Sequence, residues 1–377
     1  MNIVRVAQDL ITKKIKPGKV IVILGARRVG KTFLLKEYVK EIKEKYIFWN
    51  GEDFAVQELL KRRSVQNYRN VLGNAELLII DEAQKVPEIG SILKLLVDSF
   101  EELKIIVTGS SAFDITNLTG EPLTGRKYEI QLFPVSENEY SQFEKPEEKK
   151  DNLRQRLIYG NMPELSNYQD QKDKREYLRD LINSYLLKDI LVLENIRNSA
   201  KIFDLLKLIA FQTGNEVSLQ EIGSQLSISK NTVEKYLDLL TKVFIIYRLN
   251  GFSRNLRKEI VKNSKWYFYD NGVRNGIIAN FNQLGLRDDV GLLWENYMLG
   301  ERIKHQHYSG MTVNNYFWRT YDQQEIDLVE ERDGKLFVYE LKWKQGKTKI
   351  PVAWQNAYPD SQFKVITQEN YYEWLTE

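Results

Sequence analysis

Cysteine is absent from the 377 residues, and histidine occurs only twice, as His305 and His307. The first absence excludes disulfides, thiolate zinc, iron–sulfur clusters and a thiol nucleophile; the second excludes a three-histidine metal site. A metal here must sit on oxygen ligands, which points to Mg²⁺ or Mn²⁺. Long apolar runs are missing too: Val20–Leu24 and Leu77–Ile80 are of strand length, far short of the roughly 20 residues of a membrane span. Met1–Lys19 carries Asp9 and five basic residues without the apolar core of a signal peptide. The chain is therefore expected in the cytoplasm, with no membrane partner. Charge of one sign is scarce, since 55 Lys and Arg face 52 Asp and Glu for a net +3, so attraction to nucleic acid requires a local patch. With 42% hydrophobic and 28% charged residues, wholesale disorder is excluded and two or three domain cores are available.

Strand-like runs alternate with helical patterns from residue 18 to about 132. Val20–Leu24, Tyr46–Trp49, Leu77–Ile80 and Leu103–Thr108 read as strands. Lys31–Glu44, with Phe33, Leu34, Tyr38, Val39 and Ile42 on one face, reads as a helix, as do the stretch around Val56–Leu60 and Ile89–Phe100. Continuous β-branched runs separated by helices predict an α/β domain built on a parallel sheet with helices on both faces. The charged stretch Lys145–Leu153 reads as a surface loop or linker, residues 153–212 as wholly helical, and 290–377 as a mixed segment. The expected domains are 1–145, 153–270 and 285–377.

Gly25-Ala26-Arg27-Arg28-Val29-Gly30-Lys31-Thr32 fits G-x-x-x-x-G-K-[ST], directly after a strand and opening a helix. Loop amides and the helix N-terminus present partial positive charge to phosphates. Lys31 is expected to reach the β- and γ-phosphates of ATP and Thr32 to ligate Mg²⁺. Arg27 and Arg28 either help neutralise phosphate or face solvent. Leu77–Ile80 ends in Asp81 and Glu82. Asp81 is placed to hold the Mg²⁺ shell and Glu82 to polarise the attacking water, although an acid there also suits the first turn of a helix. If the fourth strand lies between the first and third, Ser110 or Ser111 senses the γ-phosphate or the water; the alternative is an ordinary serine in a turn. Arg126 either supplies charge to a neighbouring subunit's transition state in a homo-oligomer, or is an exposed salt-bridging residue.

The loop itself, Leu78-Ile-Ile-Asp-Glu-Ala-Gln-Lys-Val-Pro87, Val107-Thr-Gly-Ser-Ser111 and Leu123-Thr-Gly-Arg126, followed by Leu132-Phe-Pro-Val-Ser136, together resemble a family of predicted prokaryotic AAA-type ATPases with a C-terminal domain of unknown function. Phe268-Tyr-Asp-Asn-Gly-Val-Arg-Asn275 matches a later signature of that family, with Asn271 where a small residue is usual. The resemblance spans nearly the whole chain and implies an AAA-type ATPase core, without fixing a pathway.

Two further patterns lie beyond that core. Ser218–Leu240 reads as two helices joined by a turn, with Ser218 and Ser229 as N-caps and Ile222, Leu226, Val233 and Leu237 as their shared core. With Phe244–Leu249 as a wing strand, this is a winged-helix candidate exposing Lys230, Asn231, Thr232 and Lys235. From Lys242 to Lys265 seven basic residues, Arg254 and Arg257 among them, face one acid, a local +6 suited to double-stranded DNA. The alternative is a lid used for packing or subunit contact. Gln323–Val329, a turn at Asp333-Gly334 and Leu336–Lys342 read as a hairpin that brings together Asp327, Glu340 and Lys342, with Glu295 on a preceding helix. This D…E-x-K pattern resembles the restriction-endonuclease-like fold, whose carboxylates hold Mg²⁺, and such a fold is also expected of the family's tail. His305 and His307 read as exposed loop residues.

The expectation is thus a Mg²⁺-dependent ATPase coupled to a DNA-directed event through winged-helix and nuclease-like regions. The alternative is a nucleotide-controlled switch that binds a protein partner, with no DNA binding and an inactive nuclease-like domain.

Overall fold

The computed structural model describes residues 3–110, 123–186, 199–254, 264–320, 322–346 and 348–377. The chain divides into two compact units, one of Asn2–Phe133 with Lys242–Phe244, the other of Pro134–Thr241 and Ile245–Glu377.

The first unit is a five-stranded sheet in the order β2-β3-β4-β1-β5, formed by β1 (Val20–Leu24), β2 (Tyr46–Asn50), β3 (Leu77–Asp81), β4 (Lys104–Gly109) and β5 (Lys127–Gln131). Every pairing is parallel. All residues of β1 and β3 are buried, which explains why they read as continuous rather than alternating apolar runs. Val22, Ile80 and Val107 share one core with Leu93 and Leu96 of the helix Ile89–Ser99. The helix after β1 spans Lys31–Glu41 and buries Leu34, Leu35 and Tyr38, while Phe33, expected inside, is 48% exposed. The helix Val6–Lys14 and β5 had no clear apolar pattern in the sequence.

The second unit opens with the short helix Glu137–Tyr140 and continues with helices Lys149–Tyr159, Gln171–Asp180 and Ser199–Phe211. The charged stretch read as a linker is helical from Lys149, because Leu153, Arg156 and Leu157 form its buried face. A helix pair, Leu219–Leu226 and Lys230–Lys242, precedes the antiparallel β7 (Ile246–Gly251) and β8 (Ser264–Phe268), and β6 (Glu216–Val217) pairs with β8. β7 also pairs, in parallel, with β9 (Asn314–Arg319). The hairpin therefore continues into one seven-stranded sheet, β12-β11-β10-β9-β7-β8-β6, with β10 (Glu325–Arg332), β11 (Lys335–Leu341) and β12 (Gln362–Ile366). Residues expected to form two separate domains share this sheet.

The helix Val290–Ser309 packs Trp294, Tyr297 and Met298 against Leu328, Tyr339 and Trp374. His305 and His307 lie on this helix and not in a loop; His305 is half-buried, and burial pushes its imidazole below the usual range. Asp270 caps the helix Asn271–Ile277 and accepts the Asn161 N–H at 2.6 Å, while Asn275 donates to the Ile158 carbonyl at 2.8 Å. The signature stretch is thus a joint between segments.

Near that joint, Asp289 accepts from Arg274 at 2.5 Å and from Arg287 at 2.7 Å. Burial pushes its carboxyl up, but the two guanidiniums outweigh burial and hold it at about 2, below its ordinary 3.8. Because the folded value is depressed, the stabilisation is complete above about pH 4 and fades as pH falls towards 2; it amounts to about 2 kcal/mol. Asp289→Asn is expected to lower Tm at neutral pH, since it leaves Arg274 buried without its counter-charge. In paired melts the gap between wild type and variant should narrow from pH 4 to pH 2, and a gap independent of pH would contradict this account.

Candidate active site

Gly25–Thr32 leaves the C-terminal end of β1 and turns into the following helix, with Gly30 at φ 96° and Arg28 at φ 64°. Val29 is buried beneath the loop, Arg27 is half-buried and Arg28 is exposed. A Cβ on Gly25 would lie 2.3 Å from the Leu132 carbonyl oxygen, so only glycine lets the loop pass the end of β5. Arg5, which no motif marked, is buried and donates to the Val29 carbonyl at 3.1 Å and the Phe133 carbonyl at 2.6 Å. It ties the loop to the chain leaving β5. The Lys31 ammonium lies back along the loop, donating to the Gly25 carbonyl at 2.9 Å and the Ala26 carbonyl at 3.0 Å.

Across the sheet, the fourth strand does lie between the first and third. A row of oxygens results. Thr32 donates its hydroxyl to Asp81 Oδ2 at 2.6 Å, and Thr108 donates to Asp81 Oδ1 at 2.5 Å. The Glu82 amide donates to the Thr108 hydroxyl at 2.9 Å, and Glu82 itself sits in the left-handed region at φ 50°. A non-glycine residue keeps that conformation only where its surroundings fix it. Gln84 then bridges Glu82 and Ser110. Thr108 and Gln84 lie within the motif stretches, yet nothing local to them singles them out. The adjoining hydroxyl of Thr32 and carboxylate of Asp81 are hard oxygen donors beside a helix N-terminus, a donor set that fits Mg²⁺.

Arg126 lies elsewhere. It immediately precedes β5, its carbonyl accepts from the Val20 amide, and its guanidinium pairs with Asp98 at 3.0 Å. That is the N-terminal edge of the sheet, opposite the loop, because β1 and β5 run parallel from Val20↔Lys127. Arg126 is therefore no part of this chain's own site. Ser111 and Arg257 fall outside the described residues.

In the second unit Asp327, Glu340 and Lys342 do meet. Lys342 Nζ is 2.6 Å from Glu340 and 3.4 Å from Asp327. Glu295 accepts from Tyr267 at 2.6 Å, and Lys265 Nζ lies 3.6 Å from it. Burial, then the Asp327 charge, push both Glu295 and Glu340 up to about 7. Lys265, counted from the sequence in a basic stripe, is instead buried in β8 and bonded to Glu325. Burial works to lower its ammonium, but Glu295 and Glu325 outweigh it and hold it above the usual range. Among the described residues no group of three carboxylates or histidines is placed to hold a metal ion. As arranged, these residues do not fit a divalent cation, since Lys342 and Lys265 already supply the positive charge. Lys230, Asn231, Lys235 and Arg254 are exposed, and the Arg254 guanidinium lies over the Tyr358 ring.

Comparison with known proteins follows the same division. An AAA domain matches residues 17–141, a domain of unknown function (DUF8612) matches 150–284, and another (DUF4143) matches 290–374. An uncharacterized protein of Methanocaldococcus jannaschii, MJ1544, is 27% identical over 92% of this chain and 80% of its own. An uncharacterized protein of Mycobacterium tuberculosis, Rv2008c, is 24% identical over 86% of this chain and 70% of its own. The solved Walker-type ATPase PABY2304 of Pyrococcus abyssi shares the fold with a TM-score of 0.50 and 18% identity, over 72% of this chain and 94% of its own. The first unit carries an AAA-type P-loop ATPase domain, and no helix among the described residues is long and apolar enough to cross a membrane.

Gly25→Ala is expected to destabilise the protein by about 1–3 kcal/mol, because backbone must move to admit the methyl group. Chemical denaturation measures this, and an unchanged midpoint would show that the loop does not press on Leu132.

Proposed function

We propose that the chain binds ATP with Mg²⁺ at Gly25–Thr32 and hydrolyses it by in-line attack of water on the γ-phosphate. The observation that carries this reading is the unbroken row of Thr32, Asp81, Thr108 and Glu82 at the strand ends beside the loop. Loop amides and the helix N-terminus take the phosphate oxygens, and Lys31 leaves the Gly25 and Ala26 carbonyls for the β- and γ-phosphates. Thr32 and Asp81 hold the metal, which when bound neutralises phosphate charge. Glu82 orients the water and accepts its proton as the water oxygen bonds to phosphorus. The bond from phosphorus to the β-phosphate oxygen breaks, ADP leaves with that electron pair, and Glu82 returns the proton to solvent. Ser110 faces the γ-phosphate.

Glu82→Gln is expected to keep ATP affinity within a few-fold and to lower turnover by about 100-fold or more. Calorimetry and phosphate release measure the two, and undiminished turnover would remove Glu82 from the mechanism.

A second reading concerns what turnover serves. The order helix, short strand, two helices, hairpin over 199–268, with Lys230, Asn231 and Lys235 exposed near the start of the second helix of the pair, supports a winged-helix module that contacts duplex DNA through phosphates. The paired carboxylates of the tail favour a nuclease-like fold that cuts nothing. Wild type is expected to shift duplex DNA in a salt-dependent way, and alanine at Lys230, Lys235 and Arg254 together should abolish the shift. No shift at low salt would leave the alternative, a nucleotide-controlled switch that binds a protein.

A further inference from the structure

Gln84 stands two residues beyond Glu82 in the turn that follows β3, and no motif assigns it a task. Its carboxamide nitrogen donates to Glu82 Oε2 at 2.5 Å and to Ser110 Oγ at 3.1 Å. An ionised carboxylate only accepts, so the nitrogen, not the oxygen, must face Glu82. Both amide hydrogens are then used, and the Gln84 side-chain carbonyl oxygen is left buried without a hydrogen-bond partner among the described residues. Leaving such a group unpaired is costly, and packing alone does not explain it.

We infer that Gln84 is a positioning residue for ATP hydrolysis, locking the Glu82 carboxylate and the Ser110 hydroxyl into one hydrogen-bonded row. With Oε2 engaged, Glu82 presents its other oxygen to the attacking water. Ser110, accepting from Gln84, keeps its own hydrogen free to donate to the γ-phosphate. Gln84 thereby links the group that meets the phosphate to the group that takes the proton. This inference rests on the base role proposed for Glu82.

The full-length protein is assayed as wild type, Gln84→Ala, Gln84→Glu and Glu82→Gln, with kcat, KM for ATP, Tm and the pH profile of kcat recorded for each. Gln84→Ala should lose about tenfold or more in kcat with KM within twofold and Tm near wild type. Gln84→Glu keeps the side chain's shape but sets two carboxyls side by side, and the second of such a pair gives up its proton only at higher pH. The acid limb of its kcat profile should therefore move to higher pH by about one unit or more. Wild-type kcat in Gln84→Ala, with Glu82→Gln inactive, would overturn the inference while leaving Glu82 as base. Parallel loss of kcat, ATP affinity and Tm, with no displacement of the Gln84→Glu profile, would reduce Gln84 to a structural part. Full turnover in Glu82→Gln would remove the base and Gln84's task with it.

Discussion

Asp81 sits where three strands and the loop come together, and its carboxylate is the joint on which the site depends. One oxygen takes the hydroxyl of Thr32, carried by the helix that follows β1, and the other takes that of Thr108 on β4. The Thr108 oxygen in turn fixes the backbone of Glu82. A buried carboxylate is stable only if its lone pairs are satisfied, so the requirement that Asp81 be hydrogen-bonded also sets the register of everything around it. The parallel order of the sheet makes this possible, because the C-terminal ends of β1, β3 and β4 come out side by side.

The second unit solves a different electrostatic problem. Five charged side chains, Glu295, Glu340, Asp327, Lys342 and Lys265, are gathered around its sheet and its longest helix, and they compensate one another internally. Elsewhere in the unit Arg302 and Glu330 form a fully buried pair, with the guanidinium also bonded to the Trp374 carbonyl. Removing one partner from such a pair is costly, so these charges specify packing as firmly as apolar contacts do.

Much of the first unit was legible in the sequence because β1, β3 and β4 are buried on both faces and its loop has fixed spacing. Val20–Leu24 and Leu77–Ile80 are wholly apolar runs of strand length, and Gly25 to Thr32 carries its own geometry. β5 was harder, since Lys127–Gln131 is an edge strand with a single buried residue. Arg126, read either as a charge for a neighbouring subunit or as an exposed salt-bridging residue, pairs with Asp98; sequence proximity to the core motifs does not say which end of a sheet a residue occupies. Thr108 and Gln84 are ordinary polar residues whose importance exists only once β3 and β4 are neighbours. Lys265 shows the limit of counting charge along a chain, because strand pairing turned one member of a basic run inward to meet Glu325. The hairpin pattern of the tail was readable from alternation, whereas its fusion to the preceding β7 needed a long-range pairing that no local period encodes.

The measurement that bears most directly on the whole account is titration of the folded protein with ATP in the presence of Mg²⁺, followed by release of inorganic phosphate. Saturable uptake of one nucleotide per chain with steady phosphate release is the predicted result. Folded protein that takes up no nucleoside triphosphate would contradict it.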